Sequence, residues 1–349
     1  MDHQSTRLWR GAAVGLVVCA LAALAAGTTG ACDTTGKHPP VSIGGNPLAD
    51  ARARLTAAPF TELTFVPADA EAVLRVDLAA LAKRDAESQK MLDFLLQAQQ
   101  PMAWKLLGDA GVHVGQELRA VYLVVGPRGR AAPAQSMLVA GVGQIDPVKA
   151  RAAFGGGGGV AEVAPGGATI YVWSHERVAL GIGATIPDEK IPANDEEKLL
   201  AESAIGVADG LLLFGPPPLV RRALAVRAGE GKDVRVGELA PELAQLDGAT
   251  AAWGVARQDP DGLVRQLAPG LRAGRFHVAL AEVGKGELRL RAEFGGHEDA
   301  QAFGNQLETM IGAAALLTKK TPMGDTLAHM RDESPVRVDG RVVSIGTNF

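Results

Sequence analysis

The chain has 349 residues, and its 47% of hydrophobic side chains can supply packed cores for about two domains. Its formal net charge is −4 and it shows no basic patch with interleaved aromatic residues, so nucleic acid is excluded as an expected partner. The two cysteines are Cys19 and Cys32; export would remove Cys19 with an apolar run, so no internal disulfide is expected in the mature protein.

The first 31 residues have the layout of a bacterial secretory signal. Two arginines precede the apolar run GAAVGLVVCALAALAAG, which is shorter than the roughly 20 apolar residues of a comfortable membrane span. Small residues then come directly before Cys32, in the sequence TGAC. This stretch resembles the lipobox of bacterial lipoproteins, in which the cysteine receives diacylglycerol and becomes the first residue after cleavage. It departs from the usual pattern at Thr29, where an aliphatic residue is commonest.

Lipidation at Cys32 is therefore expected, which would make the chain a membrane-anchored lipoprotein of the cell envelope, in the inner or the outer membrane. The alternative is ordinary secretion, with cleavage near residues 23–25 and a free Cys32 thiol in a soluble periplasmic or secreted protein. Residues 32–63 follow, and their first part is rich in Gly, Pro, Thr and Ala without a sustained period, which predicts a flexible tether.

The folded body is predicted to be an internally duplicated α+β protein. In the first repeat, residues 64–185, a strand is followed by a long amphipathic helix, two strands, a short helix and a hairpin. The short helix has Asp146 as its N-cap and Pro147 at its first position. The hairpin is predicted to join the segments ATIYVWS and RVALGIG.

Residues 186–239 are predicted to connect the repeats through a helix (DEEKLLAESA), a strand (GLLLFG) and a second helix (PPPLVRRALAV). The second repeat, residues 240–349, shows the order of the first repeat and ends in a hairpin with an Asp-Gly turn. In ELRLRAEF, apolar and charged residues alternate, which predicts one wet and one buried sheet face. Each repeat thus reads β-α-β-β-α-β-β, with mainly antiparallel sheets and the helices packed on one face.

Several short motifs carry a resemblance to a known family. They are VPADAEAVLRVDL, GVHVGQELRAVYLV, VGQIDPVKARAAF, ATIYVW and ADGLLLFGPPPLVRRALA, and the resemblance covers roughly residues 65–255. In this order they resemble an uncharacterised family of bacterial envelope proteins, classed as a domain of unknown function. The resemblance implies a fold and an envelope location, and it implies no activity.

Motifs that could carry chemistry are weak. The glycine run FGGGGGV lacks the Lys and Ser or Thr of a phosphate loop, so a helix-to-strand connector is expected there. GVGQID and GIGATI lack the third glycine of a dinucleotide loop and read as strand ends. The histidines have no metal-like spacing, and the carboxylates of Glu71 and Asp77 read as parts of solvated faces. No catalytic, cofactor-binding or metal-binding residue is therefore predicted.

The function expected from these features is that of a lipid-anchored envelope protein of non-enzymatic, binding or scaffolding type. Its partners would be the membrane, through the anchor at Cys32, and either an envelope protein or a small apolar ligand. The alternative is a periplasmic solute- or lipid-binding module, soluble or anchored, with a ligand in a cleft between the repeats. A hydrolase ranks below both.

Overall fold

A computed structural model describes the chain at residues 60–82, 107–113, 115–126, 137–156, 160–173, 203–246, 251–257, 270–282, 285–317, 332 and 336–348. The predicted signal segment, Cys32 and most of the predicted tether lie outside the described residues. So do the long helix predicted in the first repeat and the short helix predicted between the first two strands of the second repeat. Phe60 and Leu63 are buried in the folded body, so a tether extending to residue 63 is too long at its C-terminal end.

The described strands form one antiparallel sheet. Its order is β11-β12-β10-β9-β8-β1-β2-β3-β7-β6-β5-β4, so β1 and β8 pair with each other near the middle. The strands are β1 (Ala72–Asp77), β2 (Leu118–Val125), β3 (Met137–Gly143), β4 (Val160–Val163), β5 (Thr169–Trp173), β6 (Ser203–Ala208), β7 (Leu211–Gly215), β8 (Ala252–Arg257), β9 (Leu271–Glu282), β10 (Lys285–Phe294), β11 (Arg337–Asp339) and β12 (Val342–Asn348).

Short helices and one long helix pack on this sheet. A 3-10 helix at Phe60–Phe65 precedes β1, and two further 3-10 turns lie at Pro165–Gly167 and Val234–Val236. Within the described residues no helix is both long and apolar enough to cross a membrane. The α-helices are α1 (Leu78–Ala82), α2 (Pro147–Gly156), α3 (Pro217–Arg227), α4 (Ala240–Leu243) and α5 (His297–Leu317).

The helices cover both faces of the sheet, which corrects the prediction that they lie on one face. We call the face that carries Tyr122 and Trp253 the front face and the opposite one the back face. The buried front-face cluster includes Val220 and Leu224 of α3 and Leu243 of α4. On the back face, residues of α1 and α2 are buried against the sheet, and residues of α5 pack against the same cluster. Because nearly every residue of a strand such as β2 is apolar and buried, both of its faces need a cover.

The predicted hairpin partner RVALGIG lies outside the described residues, and within them both edges of β5 are occupied by other strands. Its neighbours are β4 on one side and β6 on the other. Strand β6 was missed, and its first residues were assigned to the helix DEEKLLAESA. Its small residues have a packing role: a Cβ on Gly206 would lie 2.8 Å from Cγ1 of Val220, so glycine lets α3 approach the sheet closely. The connecting segment is thus part of the sheet itself.

Most of the other predicted elements are present. The alternation in ELRLRAEF corresponds to exposed Arg289 and Arg291 on one face of β10 and buried Ala292 and Phe294 on the other, so the prediction of one wet face is confirmed. The β11–β12 hairpin is confirmed, with Gly340 in its turn at a φ of 56°. The two halves of the chain therefore share one sheet.

Candidate functional site: a polar cleft at the strand ends

A polar cleft of about 630 Å³ lies where several strands end. The 3-10 helix at Phe60–Phe65 forms one wall, and the β6–β7 turn with the end of α3 forms another. Between them lies the segment in which β3 ends and α2 begins. The lining residues are Thr61, Glu62, Arg119, Val142, Gly143, Gln144, Ile145, Asp146, Asp209, Gly210 and Arg227.

Two glycines in the lining of the cleft, Gly143 and Gly210, allow neighbouring backbone segments to approach each other closely. The amide of Gly143 donates a hydrogen bond to the carbonyl oxygen of Gly210, at 3.1 Å. A Cβ at position 143 would lie 1.8 Å from the carbonyl oxygen of Glu117, so a side chain cannot fit there. Gly210 has a φ of 66°, the left-handed conformation that glycine adopts without strain. These contacts fix the position of Asp209 relative to the start of α2.

Local hydrogen bonds fix the carboxylate of Asp146 and the guanidinium of Arg227 in the lining. Oδ1 of Asp146 accepts from the amides of Val148 at 2.8 Å and Lys149 at 3.3 Å, which confirms the predicted N-cap of α2. Nη2 of Arg227 donates to the carbonyl oxygen of Asp209 at 2.7 Å, and this bond ties the end of α3 to the β6–β7 turn.

The opposite wall is held by a chain of buried and half-buried polar groups. The hydroxyl of Tyr122 donates to Oε2 of Glu62 at 2.7 Å and accepts from Nε of Arg75 at 3.0 Å. Nη2 of Arg75 donates to Oδ2 of Asp77 at 3.1 Å, and Oδ1 of Asp77 accepts from the amide of Ala80 at 2.8 Å. Glu62 is thereby oriented from beneath by a network that continues across the front face.

Burial determines the protonation of this network. Because Tyr122 is desolvated, and because Glu62 adds negative charge beside it, the pKa of Tyr122 is raised even though Arg75 acts in the opposite direction. Desolvation works to lower the pKa of Arg75, but Tyr122, Asp77 and Glu62 outweigh it and the pKa is raised. Tyr122 is therefore a neutral phenol that donates to Glu62, and Arg75 is a permanent cation.

The cleft can bind polar groups by charge and hydrogen bonding. It presents carboxylates from Glu62, Asp146 and Asp209 and guanidinium groups from Arg119 and Arg227. Nη2 of Arg119 lies 3.9 Å from Oε1 of Glu62, a loose ion pair that a polar ligand could replace. Thr61 contributes the single side-chain hydroxyl of the lining.

The structure corrects the interpretation of two acidic residues and reveals one basic residue that was missed. The prediction that Glu71 and Asp77 lie on solvated faces is wrong, because Glu71 is 1% exposed and Asp77 accepts a hydrogen bond from the buried Arg75. The sequence signal was available, because Arg75 interrupts the apolar strand AVLRVD, which is buried at both neighbouring positions. A buried arginine needs partners, so its presence predicts nearby carboxylates.

Other residues considered from the sequence take local roles or lie outside the described residues. GVGQID ends β3 and leads into α2. The glycine run begins with the last two residues of α2, Gly155 and Gly156, its residues 157–159 lie outside the described residues, and β4 begins at Val160. Nδ1 of His113 lies 2.9 Å from Oε2 of Glu117, and Nδ1 of His297 lies 2.7 Å from the carbonyl oxygen of Gly340. Among the residues described, no group of three His, Cys, Asp or Glu could hold a metal ion.

Comparison with known proteins gives no relative: no family model, curated protein or solved structure matches this chain.

Proposed function

We propose that the protein is a lipid-anchored component of the bacterial cell envelope with a non-enzymatic, binding or scaffolding role. The observation that carries the binding role is the polar cleft, in which Tyr122 holds the carboxylate of Glu62 from outside the lining and the backbone of Asp209 holds the guanidinium of Arg227 within it. The anchor rests on Cys32 and on the signal-like segment before it. The resemblance to an uncharacterised envelope family supports the same location.

The lining favours a polar ligand, or a polar segment of a protein partner, over a small apolar ligand. Five of its side chains carry a formal charge, and Tyr122, Arg75 and Asp77 hold Glu62 from beneath. Groups that are fixed before binding lose little conformational freedom on binding, so they favour recognition. The alternative function, a periplasmic solute- or lipid-binding module that is soluble or anchored, would use the same cleft, and its soluble form would carry an unmodified Cys32.

The anchor is tested by the mass of the N-terminal peptide of the protein expressed in its own host, with membrane fractionation alongside. A diacylated Cys32 at the first position of the mature chain is expected. An unmodified peptide that begins near residues 24–27, in protein from the soluble fraction, would refute the anchor and leave the solute-binding alternative.

The cleft is tested by measuring thermal shifts of the mature protein against a panel of polar metabolites and envelope oligosaccharides and peptides. Compounds that raise the melting temperature of the wild type should lose that effect in Glu62→Gln and Arg227→Gln. The control is Glu230→Gln, an exposed glutamate in the turn that follows α3 and outside the cleft. An effect that survives both cleft substitutions would place the ligand elsewhere on the protein.

We also propose that the two halves of the sheet arose by duplication. The strands run outward from the centre in the orders β1-β2-β3 and β8-β9-β10, and in each half a helix and a hairpin follow the third strand. The β6–β7 hairpin, inserted between β3 and β5, would be an addition to the first half. An experimental structure should then show a helix between β8 and β9 on the back face, where α1 follows β1. An extended connection there would contradict the duplication.

A further inference from the structure

One cross-strand row on the front face changes from apolar to basic as it crosses the sheet. Its inner part is Val124, Val73 and Val255, which are paired in register across β2, β1 and β8. Its outer part continues through β9, β10, β12 and β11 as Arg275, Arg291, Ser344 and Arg337.

The outer part of the row is open to solvent. Arg291 and Arg337 are exposed, and they flank Ser344 on the strand between them. With neighbouring strands about 4.8 Å apart, their backbones lie about 10 Å apart, which leaves room for one phosphate group over the serine hydroxyl. Arg289, also exposed, lies two residues from Arg291 on the same face of β10.

This placement of arginines lowers the stability of the sheet, and a face that is merely exposed to solvent does not require it. Arg275 and Arg291 are directly opposite each other on β9 and β10, and like charges at opposed positions destabilise a sheet. The guanidinium of Arg275 is drawn away to Glu242 of α4, with Nη1 2.9 Å from Oε2. Arg291 and Arg337 have no ion-pair partner in the part of the chain that the structure describes.

Acidic groups are present on the same face but in another row. Glu293 of β10 and Asp339 of β11 both pair with Val342, two residues along from Ser344. On the other side of this half of the sheet, α5 exposes Glu298, Asp299 and Glu308. Guanidinium groups therefore flank Ser344 in one row of the front face, the carboxylates of Glu293 and Asp339 lie one row away, and the exposed acidic residues of α5 lie behind the sheet.

We propose that this arginine row, Arg291–Ser344–Arg337, docks on the anionic phospholipid surface of the membrane, with a headgroup phosphate over Ser344. The proposal rests on the proposed envelope location, and it names the surface that the tethered body would meet. Arginine is suited to phosphate because its planar guanidinium donates two parallel hydrogen bonds. The acidic α5 would point away from the membrane, so the charge distribution also sets the orientation of the body.

The binding should be electrostatic and modest. Each arginine close to an anionic bilayer raises the partition coefficient about fivefold, and the attraction falls off within a Debye length of about 10 Å at 0.1 M salt. The two exposed arginines together should therefore contribute about 25-fold. A tether from Cys32 would keep the body near the membrane, where an affinity of this size is sufficient to bias its orientation.

The test is co-sedimentation with vesicles of the mature chain from residue 32 onward, carrying Cys32→Ser so that it cannot be lipidated. Binding is expected to vesicles that contain phosphatidylglycerol and not to vesicles of phosphatidylcholine alone. Arg291→Gln with Arg337→Gln should lower the partition coefficient about 25-fold, and Ser344→Ala should lower it by a smaller factor. The matched control is Lys149→Gln with Lys232→Gln, which removes the same charge at two exposed positions of the first half.

Three results would overturn the proposal. They are no binding to the phosphatidylglycerol vesicles at low salt, an equal loss in the control pair, and binding of inorganic phosphate that depends on the arginines without vesicle binding. Because the Cys32→Ser protein has no anchor, its failure to bind leaves the lipoprotein assignment intact. Conversely, if the protein binds vesicles but its Cys32 is found unmodified in the native host, the lipid anchor is refuted and the arginine docking surface is not.

Discussion

The two halves of the sheet differ in how many of their faces are covered. In the first half, α3 and the 3-10 helix at Phe60–Phe65 close the front face while α1 and α2 close the back face. In the second half, α5 covers the back face of β10 and β12, while Arg289 and Arg291 on the front face are exposed. The row that runs from Val124 to Arg337 crosses this boundary between β8 and β9.

This difference shows that the pattern of apolar and polar residues along a strand indicates how many of its faces are covered by other elements. β2 is buried at six of its eight residues, whereas in β10 exposed Arg291 alternates with buried Ala292. A strand with two covered faces cannot show a period of two, so it reads as a continuous apolar run. One strand sequence therefore predicts how many layers surround it, but not which element supplies each layer.

The largest expected effect on the free energy of unfolding comes from replacing a buried valine of the first half by arginine, the residue that the second half has in the same row. Val124→Arg would bury a guanidinium without a partner among Phe65, Tyr122 and the rest of the front-face cluster, at a cost of more than about 4 kcal/mol. The reverse change, Arg291→Val, should alter the free energy of unfolding by less than about 0.5 kcal/mol, because the position is exposed. Urea unfolding monitored by circular dichroism measures both.

If Val124→Arg does not fold, Val124→Thr provides the measurable version, with an expected loss of about 1–3 kcal/mol. If Val124→Arg were tolerated and Arg291→Val destabilised the protein, the front face would be covered in the second half and open in the first half, which is the opposite of what we describe.

A second effect is expected to be similar in both halves, because each contains a well-packed cluster. Phe65→Ala removes a ring from the front-face cluster in the first half and Phe294→Ala removes one from the back-face cluster of the second half; both side chains are fully buried. Each should lose about 3–5 kcal/mol of unfolding free energy. Val163→Ala, at an edge-strand position that is 90% exposed, is the control and should change stability by less than about 0.5 kcal/mol. A neutral Phe294→Ala would mean that the second half lacks a core of its own.

A smaller effect should follow from Tyr122→Phe. The change removes the hydroxyl that donates to Glu62 and accepts from Arg75, at an expected cost of about 1–3 kcal/mol since both partners are charged groups. Tyr171→Phe, whose hydroxyl donates to the carbonyl oxygen of Arg151, is the matched control with an expected cost of about 1 kcal/mol. Thermal unfolding compares the two, and an equal or smaller loss in Tyr122→Phe would show that the network is not a special feature of the front face.

The smallest effect concerns the loop that helps to cover the front face. Although partial burial acts to raise it, hydrogen bonds from Arg235 outweigh burial and lower the pKa of Asp233. This interaction stabilises the fold above the pKa of Asp233 in the unfolded chain, and the contribution is lost as the pH falls through its folded pKa. Because the pair is only partly buried, with both side chains still in contact with solvent, the contribution should be below about 1 kcal/mol. Asp233→Asn should flatten the acid limb of a stability–pH curve slightly; an unchanged acid limb would contradict the assignment.

Much of the strand content could be predicted from the sequence, because long apolar or alternating runs identify β1, β2, β3 and β7 to β10. Strand β6 could not, because its residues SAIGVA are small and its glycine is explained only by the close approach of Val220. The sequence also did not predict which strands are neighbours. Strand β5 lies between β4 and β6, and this pairing depends on the arrangement of the whole sheet.

The cleft was harder to predict than the fold. Its lining comes from segments that are far apart in sequence, and Gly143 or Asp209 taken alone looks like an ordinary strand end or turn. The informative signal was Arg75, since a charged residue inside an apolar strand requires a buried partner, here Tyr122 with Asp77 and Glu62. Neither the partners nor the resulting cleft follow from spacing, because they depend on strands that meet only in three dimensions.

The pairing of β1 with β8 has a consequence for the order of events during synthesis. Val73 pairs with Val255, so the central seam joins residues from distant parts of the chain. A chain that has been synthesised only as far as β7 presents β1 as an open edge with apolar side chains, a species prone to aggregate. Folding of this protein is therefore expected to be slow relative to that of proteins with local contacts, and a chaperone that shields β1 until β8 arrives would raise its yield.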